Sequence, residues 1–231
     1  MRKTHVLINA DDFGLTPGVN SGIIDSHVHG IVNSATMIMN GHAVEEAVVL
    51  AKQHPSLHVG VHLALTWGRP LAETSAPLTK ADGTFRYTNR FLTETPPDAE
   101  LVYLEWKAQI EAFRATGLPL HHLDSHHHVH GWPALDAVIV RLAEEYGTTF
   151  RALANLEARR DLWVTERFSD QFYGDGVSRA TLDAIRPGGS IEVMVHPADV
   201  DELLPSVTSY LDERLQEKEL LTAYDCPDWW A

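Results

Sequence analysis

Cysteine and long apolar segments are scarce in this 231-residue sequence. The single cysteine, Cys226, excludes an internal disulfide framework and is typical of a protein from a reducing compartment. After Arg2 and Lys3, the first apolar run covers only residues 6–8, which is too short for the core of a signal peptide. No apolar run is long enough to span a bilayer. We therefore expect a cytoplasmic protein without a membrane partner.

Positive charge is scarce as well. The sequence has 18 Lys and Arg against 32 Asp and Glu, which gives a formal net charge of -14. Nucleic acids and polyphosphates bind in basic grooves, so this excess of acidic residues argues against both kinds of partner. A small neutral or cationic substrate is more compatible with such a charge.

Several common catalytic and nucleotide-binding motifs are absent from the sequence. It contains no Gly-x-Ser-x-Gly elbow, no P-loop and no dinucleotide-binding glycine fingerprint after the first predicted strand. There are also no internal repeats, linkers or changes of composition that indicate a domain boundary. The length suits one α/β domain, so we predict a single catalytic domain over residues 1–231.

Short aliphatic runs alternate with segments of helical periodicity along the chain, which predicts strands connected by helices. Strands are predicted at residues 5–10, 34–40, 57–63, 122–124, 148–153, 191–195 and 220–222. One helix is predicted to start at Pro17 with Thr16 as its N-cap and to be closed by Gly30. Further helices are predicted at residues 43–53, 98–116, 133–146, 179–185 and 199–218. Alternation of this kind indicates a mainly parallel sheet, and we favour a closed or partly closed barrel.

Two segments lack a clear period. Residues 66–97 are rich in Gly, Pro and Thr, and a loop of this length in a compact domain is usually functional or a lid. Residues 155–178 are predicted to be irregular or partly helical, with Phe168, Phe172 and Tyr173 as candidate pocket walls. Trp67, Trp132 and Tyr173 are candidates for stacking on sugar rings, with an ordinary core or loop position as the alternative for each.

A histidine-rich tract lies near the middle of the chain. Six of the 14 histidines fall within residues 121–130. Imidazole is the commonest metal ligand in proteins, although a histidine-rich surface loop is the alternative for a tract seen alone. His126 and His130 are four residues apart, but the Glu of a zincin helix is missing and Gly131 and Pro133 favour a loop.

Polar residues also follow four predicted strands, at the point where each strand ends. These clusters are Asp11-Asp12, His62, Asp124-Ser125-His126, and His196. In parallel α/β folds the loops after the strands meet at one face, so residues distant in sequence can converge there. Two imidazoles and one carboxylate make a three-ligand metal site with positions open for water and substrate. Alternatively, one of the two aspartates caps the helix at Pro17 or the turn at Gly14.

The remaining histidines of the tract are expected to have supporting roles. His127, His128 and His130 cannot all bind the same ion as His126, so we expect them to orient ligands, to pack in the loop or to contact substrate. For His62 alone, a half-buried strand histidine is the alternative to a ligand. Gly60 is on the same face of its strand as His62 and is expected to leave room beside that imidazole.

Four segments together resemble the YdjC-like carbohydrate deacetylases, a group that includes the chito-oligosaccharide deacetylases. The resemblance runs in order from about residue 5 to about residue 200, and it rests on the following segments: Asn9-Ala10-Asp11-Asp12-Phe13-Gly14, Gly60-Val61-His62-Leu63, His122-Leu123-Asp124-Ser125-His126-His127-His128-Val129-His130 and Glu192-Val193-Met194-Val195-His196-Pro197. The resemblance implies a distorted, TIM-like (β/α) barrel related to the polysaccharide deacetylase and glycoside hydrolase barrels. It also implies one divalent ion, magnesium by preference, and a homodimer.

The resemblance further assigns roles to six residues. Asp12, His62 and His126 are expected to bind the metal. Asp11 is then expected to be the general base, and His196 the acid that protonates the departing amine. Arg151 resembles an arginine that orients the base.

The reaction that follows is the hydrolysis of N-acetyl groups on amino sugars or oligosaccharides by a metal-activated water. Two alternatives remain open at this point. A metal-dependent phosphoesterase would favour a second metal and nearby cations, for which Arg69 and Arg151 are the candidates. A non-catalytic metal-binding or sugar-binding protein is the other alternative. By ligand softness the three-residue site also suits zinc, cobalt or nickel.

Overall fold

Seven strands form one sheet in the computed structural model, which describes residues 5–230. Arg2 and Lys3, the basic residues before the first apolar run, lie outside the described residues. The strands are β1 (His5–Phe13), β2 (Ser34–Met37), β3 (His58–Leu63), β4 (His122–Ser125), β5 (Thr149–Phe150), β6 (Arg167–Ser169) and β7 (Ser190–Val195).

The strands are ordered β5-β4-β3-β2-β1-β7-β6, and every pairing in the sheet is parallel. The two edges of the sheet approach each other, because Trp163 pairs with Phe150 of β5 shortly before the chain enters β6 beside β7. The sheet is therefore a curled half-barrel with helices around it. This confirms the predicted distorted, TIM-like (β/α) barrel.

Helices connect most of the strands. They are α1 (Pro17–Val28), α2 (Val44–Gln53), α3 (Ala99–Ala115), α4 (Asp136–Tyr146), α5 (Arg179–Asp183), α6 (Leu204–Val207) and α7 (Asp212–Thr222). The predicted cap of α1 is confirmed, because the Thr16 side chain accepts a hydrogen bond from the backbone N–H of Val19 and Pro17 opens the helix. None of the helices in residues 5–230 has both the length and the apolar character needed to cross a membrane.

Both faces of the central strands are covered, as expected for a parallel sheet. Burial is continuous from Val6 to Phe13 in β1. The close packing of β3 on β4 depends on Gly60, because a Cβ at this position would clash with the backbone oxygen of His122. The sequence-based expectation that Gly60 leaves room beside His62 was wrong, since the neighbouring strand fills that space.

The predicted helix at residues 199–218 and the strand at 220–222 were both wrong. The short helix α6 starts at Leu204 with Pro205 in its first turn, the chain then becomes extended at Thr208, and α7 begins anew at Asp212. A proline cannot donate the hydrogen bond that a helix interior requires, so one continuous helix does not form there. Residues 220–222 belong to α7, where the buried Leu221 lies on the side of the helix that packs against α1.

The region around β5 and β6 also differs from expectation. The strand predicted at residues 148–153 is limited to Thr149–Phe150, and β6 lies inside the segment predicted to be irregular. Three residues bury too few side chains to produce a recognisable alternation. Arg151 directly follows β5, with its backbone N–H donating to Leu123 O at 2.9 Å, so its side chain starts from the carboxyl end of the sheet.

Candidate active site

An irregularity in β1 brings two adjacent aspartates to the same cavity. Ala10 pairs with Ala35 and Phe13 pairs with Met37, so β1 has one more residue than β2 between these two pairs. Asp12 has a φ of 69°, the left-handed conformation that marks this bulge. In a regular strand neighbouring side chains point to opposite faces, whereas here both carboxylates line the cavity.

Asp12, His62 and His126 converge on one point at the carboxyl end of the sheet. Asp12 Oδ1 lies 3.3 Å from His62 Nε2 and 3.0 Å from His126 Nδ1. The three residues belong to β1, to β3 and to the turn directly after β4. Their ligand atoms lie close enough together for one metal ion, as the resemblance implied. Asp12 caps neither α1 nor the following turn with its side chain, so that alternative was wrong for it.

His62 is held from behind by Asp124. Its Nδ1 lies 2.8 Å from Asp124 Oδ1, and Thr36 Oγ1 donates to Asp124 Oδ2 at 2.9 Å. Burial by itself lowers the pKa of His62, but the negative charges of Asp124, Asp12 and Asp11 outweigh it and raise the pKa to about 10. The site therefore attracts positive charge, which a proton on His62 supplies in the absence of a metal.

Asp11 is held by Arg151 in a two-pronged ion pair. Arg151 Nη1 donates to Asp11 Oδ2 at 2.8 Å and Nη2 donates to Oδ1 at 2.6 Å. The same guanidinium lies 2.7 Å from Asp124 Oδ2, and its Nε donates to Glu192 Oε1 at 2.8 Å. Burial opposes ionisation of Asp11, but the charge of Arg151 and its hydrogen bonds hold the pKa of Asp11 well below its usual range. Asp11 is thus an ionised carboxylate with a fixed orientation.

Glu192, in β7, is the third buried acid on the same guanidinium. Burial raises its pKa to about 7, although Arg151 opposes that rise. Its Oε2 atom is buried without a hydrogen-bond partner in the described part of the chain. Glu192 therefore shares the charge of Arg151 with Asp11 and Asp124 and changes protonation near neutral pH.

His196 directly follows β7 and lines the same cavity as Asp11 and Asp12. The next turn packs tightly on α1, because a Cβ at Gly22 would clash with the backbone of Ala198. Burial, followed by the positive charge of Arg214, lowers the pKa of His196 to about 4, so the imidazole is neutral at pH 7. Its Nδ1 lies 4.0 Å from Glu217 Oε1, and its backbone N–H donates to Glu217 Oε2.

The other members of the histidine tract surround this centre without facing Asp12. His127 and His128 both have left-handed backbones, with φ values of 58° and 56°. His127 Nδ1 lies 2.9 Å from Thr66 Oγ1, and His128 packs edge-on against Phe168. His130 is fully buried, with its Nδ1 2.5 Å from Ser125 Oγ. These positions match the supporting roles expected for the three residues.

The cavity in front of the centre has a volume of about 360 Å³. Trp67 and Tyr173 are among its walls, as the sequence suggested. Trp132 instead is 4% exposed and packs against Tyr87 and Phe91, so its proposed stacking on sugar was wrong and its core alternative was right. Among the other expected pocket walls, Phe172 is fully buried in the core. Phe168 lies beside Arg151, 4.8 Å from the guanidinium carbon to the ring centre.

Helix α7 and the segment just before it supply a group of three residues that sequence reasoning missed. Arg214 Nη2 donates to Asp12 Oδ2 at 2.6 Å, and Tyr210, just before the helix, donates its hydroxyl to Glu217 Oε1 at 2.7 Å. Burial raises the pKa of Glu217 to about 8. The only local signal for this group is the spacing of Arg214 and Glu217, which places both on one helix face.

Comparison with known proteins places the chain in a family. A family model described as YdjC-like protein matches residues 5–231. The chain belongs to the YdjC-like family. This confirms the resemblance predicted from the four sequence segments, and it extends the match through α7 to the end of the chain.

YdjC-like relatives cover nearly the whole chain. A carbohydrate deacetylase from Oceanobacillus iheyensis is 45% identical over 226 residues, which cover 97% of this chain and 98% of that relative. A carbohydrate deacetylase from Vibrio campbellii is 44% identical over 224 residues, covering 94% of this chain and 88% of that relative. A crystal structure from Enterococcus faecalis, described as a proposed cellobiose-phosphate cleavage protein, has a TM-score of 0.87 at 34% identity and covers 96% of this chain and 91% of that one.

Proposed function

We propose that this YdjC-like protein is a metal-dependent carbohydrate deacetylase that hydrolyses the N-acetyl groups of amino sugars, with chito-oligosaccharides as the substrate class. The observation that carries the proposal is the convergence of Asp12, His62 and His126 beside an Asp11 carboxylate that Arg151 holds in place. Relatives named carbohydrate deacetylases, at up to 45% identity, support the enzyme class predicted from the sequence.

The three converging residues fit a divalent cation. When the Nδ1–H of His62 donates to Asp124, the Nε2 lone pair of the neutral ring faces Asp12 Oδ1 at 3.3 Å. Two lone pairs facing each other in a buried site require a positive charge between them. A bound divalent ion polarises an acyl carbonyl and lowers the pKa of a water molecule. The imidazoles suit zinc, cobalt or nickel, while the family resemblance favours magnesium.

Asp11 and His196 would perform the proton transfers of the hydrolysis. Asp11, ionised and oriented by Arg151, takes a proton from the attacking water as the water oxygen forms a bond to the acyl carbon. The π electrons of the carbonyl move to the acyl oxygen. When they return, the C–N bond breaks, and its electron pair goes to the nitrogen, which takes a proton from His196. The products are acetate and the free amine.

The imidazole of His196 must take up a proton before it can act as an acid. Its pKa of about 4 leaves the ring neutral at pH 7. The negative charge that develops on the acyl oxygen favours the imidazolium form, because an opposite charge nearby stabilises a cation. Glu217, whose pKa is raised to about 8, holds a proton near His196 Nδ1 at neutral pH.

The two cations that the sequence offered for a phosphoesterase, Arg69 and Arg151, give that alternative little support. Arg151 is fully buried and already bound to three carboxylates, so it has no capacity for a phosphate. Its guanidinium also occupies the space beside Asp11 and Asp124, where a second metal would need ligands. Arg69 does not line the cavity in front of the metal ligands.

Acetate and free amine should be measured after incubation of the purified protein with each divalent ion and N-acetylglucosamine oligomers. We expect both products in equal amounts. Asp11→Asn should bind metal normally while its kcat falls by about 10²–10⁴-fold, the usual contribution of a general base. Asp12→Asn should lose metal and activity together. Phosphate release from phosphorylated sugars without acetate would support a phosphoesterase, and sugar binding without turnover would support a non-catalytic binder.

Metal content and assembly need separate measurements. Metal analysis of protein purified without added ions identifies the ion that the site retains. The homodimer and the cytoplasmic location implied by the sequence stay predictions, which the mass in solution and cell fractionation test.

A further inference from the structure

Arg214 is a buried cation in the cavity that takes no part in the proton transfers proposed for Asp11 and His196. It lies in the first turn of α7, is 4% exposed and lines the cavity beside His196 and Tyr210. Its Nη2 donates to Asp12 Oδ2, the oxygen of Asp12 that faces away from His62 and His126. Arg214 is therefore separated from the proposed metal site by the width of one carboxylate.

Most of the hydrogen-bonding capacity of Arg214 is unused. A guanidinium has five N–H donors in a fixed planar arrangement. The Nε and Nη1 atoms of Arg214 are buried, and neither has a partner in the described part of the chain. A buried donor without an acceptor costs about 1–3 kcal/mol, and more when it is charged. Because Arg214 lines the cavity, an oxygen ligand bound there can supply an acceptor to its guanidinium.

Holding the Asp12 carboxylate in place does not by itself explain why a buried arginine lies at position 214. One N–H group is sufficient to bind Asp12 Oδ2, and the charge of Arg214 draws electron density from the carboxylate that a metal would use. Arg151 illustrates the difference, because its guanidinium is shared among Asp11, Asp124 and Glu192. Within the described residues, Arg214 has a single carboxylate partner and two donor atoms without a hydrogen-bond partner, and the residue lines the cavity.

We propose that Arg214 is a catalytic residue whose guanidinium N–H donors bind the acyl oxygen of the N-acetyl group. This inference rests on the proposed deacetylase function. As water adds to the acyl carbon, the carbonyl electrons move to this oxygen, and a fixed cation stabilises the resulting negative charge. The same donors bind the carboxylate of acetate after the C–N bond has broken. Arg214 therefore stabilises the acyl oxygen, whereas Asp11 takes a proton from the water and His196 gives one to the amine nitrogen.

The test compares Arg214→Met and Arg214→Lys with the wild-type protein at saturating metal. We expect kcat of Arg214→Met to fall by about 10²–10³-fold, the usual effect of removing one oxyanion donor. The dissociation constant for acetate, measured calorimetrically on the metal-loaded protein, should rise at least tenfold. Metal should bind as tightly as before or more tightly, since a cation next to Asp12 has been removed. Arg114→Met, at an exposed ion pair with Glu111, is the control and should change none of these values.

A second variant keeps the test decisive if the methionine variant does not fold. Arg214→Lys retains the charge but not the planar guanidinium, and we expect it to fold, to bind metal and to remain at least tenfold slower. Weaker metal binding with kcat restored by excess metal would show that Arg214 only orients Asp12, and unchanged acetate binding would also overturn the inference. If the wild-type protein releases no acetate, the proposed function fails instead.

Discussion

The Nδ1 atom of His62 lies 2.8 Å from Asp124 Oδ1, and this contact decides which nitrogen of His62 faces Asp12. With the proton on Nδ1, the lone pair on Nε2 lies 3.3 Å from Asp12 Oδ1. A buried carboxylate behind a ligating imidazole fixes the ring orientation and increases the basicity of the metal-binding nitrogen. Asp124 thus prepares His62 to bind a cation.

Asp124→Asn should weaken metal binding by about 10–100-fold, because an amide neither fixes the tautomer nor increases the basicity of His62 as well as a carboxylate does. Titration calorimetry with the metal-free protein measures the change. Glu192→Gln is the matched control, since Glu192 shares Arg151 with Asp124 but does not contact His62. Equal losses in the two variants would mean that the ion pairs of Arg151 control metal affinity.

The bulge at Asp12 predicts an unusual order of stability. Asp12 has a φ of 69°, where alanine is less favourable than glycine by about 1 kcal/mol. Asp12→Gly should therefore be more stable than Asp12→Ala by about that amount, although both variants lose the same carboxylate. Urea unfolding of the two metal-free variants gives the difference. If Asp12→Ala is the more stable of the two, β1 has no left-handed bulge at Asp12.

The raised pKa of Glu192 predicts that the free energy of unfolding falls as the pH rises. Burial raises its pKa to about 7 from its ordinary 4.5, so between these values the folded protein binds more protons than the unfolded chain. The stabilisation of the folded protein by protonated Glu192 is complete below pH 4.5 and is lost as the pH rises through 7. Its slope is at most about 1.4 kcal/mol per pH unit.

Glu192→Gln keeps a neutral side chain at every pH and should remove this dependence. We expect the unfolding free energy of the variant, relative to the wild-type protein, to increase by about 1–3 kcal/mol between pH 5 and pH 8. Denaturant melts of the metal-free proteins across this range measure it, and the other titrating groups cancel in the comparison. A difference that stays constant with pH would mean that Glu192 is ionised throughout.

Two aromatic residues suggested by the sequence should behave differently when truncated. Trp132→Ala should lower the unfolding free energy by about 3–5 kcal/mol, because Trp132 is packed in the core. Tyr173→Ala should have little effect on stability, since Tyr173 is 48% exposed, but it removes a cavity wall. We expect KM for acetylated oligosaccharides to rise by about 3–10-fold in Tyr173→Ala, a typical contribution of one aromatic contact. A normal KM in Tyr173→Ala would place the sugar elsewhere in the cavity.

The sequence by itself determined the order of the strands along the chain and the residues at their carboxyl ends. Aliphatic runs and the Thr16-Pro17 cap are local signals, and they predicted most elements correctly. The positions of Asp11, Asp12, His62 and His126 followed from the rule that parallel strands end at one face. Where that local information was weak, as in the three-residue β6 and near Pro205, the predictions were wrong.

Only the tertiary structure decided how the side chains face each other. One extra residue in β1 turns Asp11 and Asp12 toward the same cavity, and a residue count against a neighbouring strand cannot be read from β1 alone. The curl of the sheet brings Arg151 to Asp11 across 140 positions, and the return of α7 brings Arg214 to Asp12 across 202. These contacts depend on packing between distant segments, because a long-range ion pair leaves no periodic trace in the sequence around either partner.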